Sequence, residues 1–358
     1  MATGELAGAA AEARIRQPAP RAVATWLYVV CALIFAMVVL GGITRLTGSG
    51  LSMVEWDPIF GIVPPRSEAD WQSVFDKYKA SPEYQKVNVG MDLAGFKRIF
   101  LIEYAHRVLG RTIGLVFLLP FLWFWWRRRL PQGFAPKLVT MFVLGGLQGL
   151  LGWYMVKSGL VDDPHVSQYR LAAHFMFAVA LYGYILWVAL SLWPGRPAQG
   201  ANTAFRAAVS GVLVLVLLTM TAGAFVAGLR AGHAYNTFPL MDGHLIPPGL
   251  WAMQPWWLNL FENGLTVQFT HRLLALLTLA AVLGLWAARG ALRKAGRWVL
   301  HLLALAGLAQ VALGIATLLL VVPVPLASAH QAGALVVFTL LVVLMSRVFG
   351  AGRRLEEN

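Results

Sequence analysis

The chain has 358 residues, of which 58% are apolar and only 13% charged, and its mean hydropathy is +0.66. Soluble domains run roughly 45–50% apolar and about 25% charged, which excludes a water-soluble globule, and 14 Trp with 19 Phe exclude a disordered chain. The single cysteine, Cys31, excludes an internal disulfide and any cysteine-built metal site, so eight histidines are left to carry metal chemistry.

In chain order, residues 1–24 read as a polar tail with Glu5 and Glu12 and without the apolar run of a secretory signal. Eight apolar stretches of membrane-spanning length follow, near 25–45, 101–126, 138–157, 171–193, 207–229, 266–287, 298–321 and 327–347. The expected fold is an all-α integral membrane protein whose eight transmembrane helices form two pseudo-symmetric four-helix bundles. The N-terminal half is expected over 25–195, the C-terminal half over 196–350, and a second short tail over 351–358. The tails and the loops after the second, fourth and sixth spans hold 16 Lys/Arg against 4 Asp/Glu, whereas the remainder holds 13 against 12. That bias puts both termini on the cytoplasmic side. It also accounts for the net charge of +13 without nucleic acid as a partner.

The two halves repeat each other. Glu103-Tyr-Ala-His106-Arg107 in the second span matches Gln268-Phe-Thr-His271-Arg272 in the sixth. Gln148-Gly-Leu-Leu-Gly152 in the third matches Gln310-Val-Ala-Leu-Gly314 in the seventh, and Ala173-His174 in the fourth matches Ala329-His330 in the eighth. Loop residues Ile62 to Pro65 match Leu245 to Pro248. The order is kept four times, and four helices per half give both halves the same orientation, a parallel repeat.

His106, His174, His271 and His330 therefore fall one per even-numbered span, at similar depth below the outer face. Ionisable groups inside a span are costly and face the bundle interior. Two imidazoles per half are too few for a structural zinc site. They suit a haem iron, which needs only axial ligands because the macrocycle supplies the rest. Gly110, Gly114, Gly145, Gly146, Gly149 and Gly152 give clearance for a flat ligand or for close helix packing. Arg107 and Arg272, each directly after a histidine, suit either a porphyrin carboxylate or lipid headgroups. Glu103 stands three residues before His106, while the second half has the neutral isostere Gln268. Only the first half has a carboxyl beside its histidine, so it reads as the reacting site, with Glu103 moving protons.

At this point the residues resemble the haem A synthase family, in its cysteine-free branch typical of alphaproteobacteria and mitochondria. The likeness rests on Gly42-Ile-Thr-Arg45-Leu-Thr-Gly-Ser-Gly50-Leu-Ser with Trp56 and Pro64-Pro65, on Glu103-x-x-His106-Arg107, on Ala234-Tyr-Asn236-Thr237-Phe238-Pro239, and on Thr270-His271-Arg272. It implies haem b as cofactor on His271 and His330, with Arg272 beside it, and haem O as substrate on His106 and His174, with Arg107 beside it. It further implies an oxidoreductase that turns a methyl group of haem O into a formyl group, with Glu103 catalytic. The implied setting is the cell inner membrane. Haem O and membrane lipid are the expected partners; haem O synthase, cytochrome oxidase assembly factors and a homo-oligomer are compatible with the same reading. The competing expectation is a bis-histidine di-haem electron-transfer protein with no chemistry on the porphyrin.

Overall fold

Helices begin where the sequence supplies caps. The side chains of Asp92, Asn202 and Asn263 accept from the backbone N–H of Gly95 (2.7 Å), Phe205 (2.8 Å) and Leu265 (3.1 Å), partnering donors that a first helical turn leaves over. Pro20 opens the first helix, where its missing N–H costs nothing and its φ is already helical. The structure, a computed structural model, describes residues 19–55, 63–161, 164, 166–192 and 201–350. Trp56, His165 and most of both tails lie outside the described residues.

The described chain is helical without strands. Its α-helices are α1 (Pro20–Leu46), α2 (Glu68–Lys79), α3 (Pro82–Lys86), α4 (Leu93–Trp126), α5 (Phe134–Gly159), α6 (Gln168–Leu192), α7 (Thr203–Gly228), α8 (Gly264–Ala287), α9 (Arg297–Leu319) and α10 (Val324–Phe349). Among the described residues, α1 and α4 to α10 are long and apolar enough to cross a membrane. The protein is a multi-pass membrane protein. All eight expected spans fall on these helices.

In the first half α1 packs on α4 and α6, and α5 bridges α4 and α6; in the second, α7 packs on α8 and α10, and α9 bridges α8 and α10. The halves meet through α1, α6, α7 and α10, whose apolar side chains supply most of the core, including Leu27, Val179, Val209, Leu335 and Leu341. Tyr182 and Thr339 hydrogen-bond across this seam at 2.8 Å, satisfying two hydroxyls that hydrocarbon would leave stranded.

The second span departs from its expected start at 101. Helix α4 begins two turns earlier because Phe96 and Phe100 pack under α2, with Tyr78 stacked on Phe96 at 5.0 Å and Trp71 edge-on to Phe100 at 5.1 Å. Tertiary burial extends the helix beyond its apolar run. Helix α2 is fixed by a reciprocal Ser67–Asp70 capping box. Together α2 and α3 form a small aromatic cap at the end of the bundle where α4 and α6 begin.

Candidate functional site

The four histidines expected to act come from α4, α6, α8 and α10, all near the same end of the bundle. A glycine from the preceding spanning helix backs every one of them. A methyl group on Gly41 would stand 3.2 Å from His106 Nε2; on Gly152, 3.0 Å from His174 Cε1; on Gly223, 2.9 Å from His271 Cε1; on Gly314, 2.8 Å from His330 Cε1. Real Cβ atoms essentially never come as close as at Gly223 and Gly314, and at Gly41 and Gly152 the histidine would have to give by a few tenths of an ångström, so each ring lies in space that a glycine leaves open. Of the glycines read as clearance, Gly152 does this, while Gly114, Gly145, Gly146 and Gly149 face open space and Gly110 faces Met37. Gly41 and Gly223 were legible only as a pair: they lie 182 residues apart, close to the offset of 183 between the matching loop prolines.

In the second half the rings of His271 and His330 have centroids 6.4 Å apart and planes crossed at 87°. Two imidazoles on one metal ion need about 2 Å per nitrogen–metal bond and roughly 1 Å more to each ring centre, so about 6 Å in all. The separation fits an axial pair. His271 Nδ1 lies 3.1 Å from the carbonyl oxygen of Thr219; that partner makes Nδ1 the N–H donor and leaves Nε2 to bind metal. His330 Nδ1 is buried and has no hydrogen-bond partner among the described residues. Two imidazoles suit an ion whose other ligands come from a macrocycle, and among the described residues no three His, Cys, Asp or Glu stand together to hold a metal by themselves.

The first half repeats the supports. Gln148 Nε2 donates to the backbone oxygen of His174 at 3.1 Å, as Gln310 Nε2 does to that of His330 at 2.9 Å. Oε1 of both glutamines is buried without a described donor.

The arginines and their acidic or amide neighbours also repeat, with inverted chemistry. Arg107 donates to the backbone oxygens of Met53 (2.8 Å) and Glu55 (3.1 Å), and Arg272 to those of Tyr235 (2.6 Å) and Thr237 (2.9 Å). Both guanidiniums thus hold the loop that follows the first span of their own half. Arg272 Nε remains buried without a described acceptor. Glu103, 2% exposed, takes Arg107 Nε (3.0 Å) and Nη2 (2.5 Å) on Oε1, and the Ser52 hydroxyl (2.7 Å) and Met53 N–H (2.8 Å) on Oε2. Gln268 instead donates from Nε2 to the carbonyls of Ala231 and Ala234, both at 2.8 Å, and accepts from Arg272 at 3.0 Å. The first loop offers donors to a carboxylate. The second offers acceptors to an amide.

A second carboxyl sits above Glu103. Glu83 in α3 is 6% exposed; Tyr78 donates its hydroxyl to Oε2 at 3.2 Å and in turn accepts from Asn88 Nδ2 at 2.7 Å. Burial pushes the Glu83 carboxyl up to about 7; the Tyr78 hydrogen bond opposes that rise, the Glu103 charge adds to it, and the Arg230 charge lowers it. His301 and His244 are exposed and hydrogen-bond locally. His301 Nδ1 accepts from Trp286 at 2.9 Å, and His244 Nδ1 lies 2.9 Å from the carbonyl of Asp242. Asn236 ties its loop to α9 by donating to Gly232 and Leu318 carbonyls at 2.8 Å.

The family described as cytochrome oxidase assembly protein matches residues 24–342, from within α1 to within α10. A heme A synthase of Nitrosospira multiformis is 54% identical over 323 residues, covering 88% of this chain and 90% of that protein. The chain belongs to the haem A synthase family. Other heme A synthases, from Parvibaculum lavamentivorans and Rhodospirillum centenum, are each 52% identical, over 88% and 90% of this chain and 91% and 87% of theirs. The resemblance read from the motifs is the family these matches show.

Proposed function

We propose that the chain is a membrane oxidoreductase that converts a methyl group of haem O to a formyl group, yielding haem A. What carries this reading is the 54% identity to a heme A synthase across nearly the whole of both proteins, in a chain whose His106, His174, His271 and His330 each lie against a glycine of the preceding spanning helix. His106 and His174 take the iron of haem O, and His271 and His330 take haem b. Held by His271 and His330, haem b would supply one-electron redox chemistry.

The rest falls to the chain's own side chains. Methyl-to-formyl conversion removes four electrons, takes up one oxygen atom from water or dioxygen and releases protons, and Glu103, three residues before His106 and on the same helix face, would accept one of them. Arg107 and Arg272 hold residues 53–55 and 235–237 to the helices that carry His106 and His271. The Lys/Arg bias supports an inner-membrane setting with cytoplasmic termini and the histidine end outward. Haem O synthase and cytochrome oxidase assembly factors fit as donor and recipient.

Co-expression with haem O synthase followed by porphyrin extraction tests this. Haem A in the extract is the expected result. Haem O alone, from protein that still shows two bis-imidazole haem spectra, would instead make the chain an electron relay. Substituting His271→Ala or His330→Ala should strip the haem b absorbance from purified protein.

A further inference from the structure

The residue after the fourth histidine reaches into the other half of the molecule. Gln331 Nε2 donates to the backbone oxygen of Val38 on α1 at 2.6 Å. That carbonyl belongs to the helical ladder that closes on Gly42, and Gly42 is what admits the amide: a methyl group there would overlap the Gln331 side chain. The neighbouring residue, Gly41, backs His106 Nε2. Two consecutive glycines of α1 thus face the two sites, Gly41 toward a first-half histidine and Gly42 toward the residue bonded to a second-half histidine. The repeat lacks this contact in the other direction. The position after His174 is Phe175, which packs into apolar core. A primary amide within a span is costly unless partnered, and here its partner lies across the seam between the halves.

We propose that Gln331 is a positioning residue that couples the two histidine pairs. Its amide, seated on Val38 in the notch at Gly42, fixes the helix of His330 against the helix that backs His106. Porphyrin loading at one pair then strengthens porphyrin retention at the other. By linkage the effect is reciprocal: the factor by which the first pair helps the second equals the factor by which the second helps the first. The proposal rests on the reading that both pairs hold porphyrin.

The test titrates ferric haem b into the purified full chain in detergent and follows the Soret band at each pair. Affinity at one pair is compared with the other pair loaded and with it removed by His106→Ala/His174→Ala or by His271→Ala/His330→Ala. Loading one pair should tighten the other by at least fivefold, within the usual range of about 5- to 150-fold for coupled sites. Gln331→Leu should bring that factor to about one while each isolated pair keeps its own bis-imidazole spectrum and affinity. Should Gln331→Leu fold poorly, the double variant Gly42→Ala/Gln331→Ala replaces the amide by a methyl in the same space; it should recover folding without recovering coupling. Unchanged coupling in Gln331→Leu, restored coupling in the double variant, or no coupling in the natural chain would each overturn the proposal. Absence of haem at both pairs in the natural chain would instead overturn the porphyrin reading on which it stands.

Discussion

Glu103→Gln is an isosteric change that the structure makes expensive. The carboxylate accepts from four donors, two on each oxygen, and a glutamine has only one oxygen. If its amide nitrogen takes the place of Oε1, it points N–H groups at a guanidinium. If it takes the place of Oε2, the Ser52 hydroxyl can turn, but the Met53 N–H cannot and is left buried without an acceptor, at about 1–3 kcal/mol. In either pose Arg107, whose side chain is 9% exposed, loses its counter-charge, and breaking a buried pair costs about 3–5 kcal/mol. Gln268 shows what an amide needs at this position: two carbonyls, from Ala231 and Ala234, which the first loop does not present. The expected result is a loosened segment 49–55, with the Met53 amide exchanging on the order of 10² to 10³ times faster in hydrogen–deuterium exchange, at 1.4 kcal/mol per tenfold. Exchange within fivefold of the natural chain would refute the view that the carboxylate holds this loop. Ser52→Ala separates loop order from charge. It removes one neutral donor, at about 1 kcal/mol, and keeps the carboxylate on Arg107, so haem A formation should survive in it and fail in Glu103→Gln.

Gly314→Ala places a methyl 2.8 Å from His330 Cε1; the strain of about 1–3 kcal/mol should weaken haem binding at the second pair by roughly 5- to 150-fold. The first pair should keep its spectrum, and Gly145→Ala, which meets open space, should change neither; a haem titration of the three proteins decides. Glu83 gives the aromatic cap a pH dependence. Its carboxyl is raised to about 7 from an ordinary 4.5, so the unfolded cap gives up its proton first, and cap stability falls as pH rises from about 4.5 to about 7, by about 3 kcal/mol. Protection factors over residues 68–92, the pH-dependent intrinsic rates divided by the exchange rates, should therefore fall across that interval and level off above it, and Glu83→Gln should flatten the profile; an unchanged slope in the variant would refute the assignment.

The spans were legible because hydrocarbon demands long apolar helices, and the matched motifs of the two halves carried the histidine positions with them. Helix ends were less so. The early start of α4 comes from Phe96 and Phe100 meeting α2, a contact between segments that no local pattern announces. The Glu103–Gln268 difference was readable as a difference in charge, but not as a difference in what each side chain holds. That depends on whether the adjoining loop turns N–H groups or carbonyls inward. In the second half the loop is shaped by Arg230 and Tyr235, both in the left-handed region with φ of 53°, and neither residue type advertises that conformation. Arg107 and Arg272 were read as candidates for porphyrin carboxylates or lipid. Their spacing from the histidines showed; the loop carbonyls that occupy them did not.

That inverted loop chemistry bears on how a duplicated bundle acquires two different polar sites. If Glu103 had replaced a neutral residue on an otherwise unchanged scaffold, its carboxylate would face the same carbonyls that Gln268 meets, a buried repulsion that no single substitution relieves. The first half resolves this through its loop. Ser52 O–H and Met53 N–H face inward where Ala231 and Ala234 carbonyls do in the second half, while the arginine that clamps both loops stays the same. The charge at Glu103 and the turn at 49–53 are therefore one unit, and neither half's polar residue can be exchanged for the other's without its loop. A carboxylate held by four donors three residues before His106 also keeps one position, which a freely rotating side chain would not.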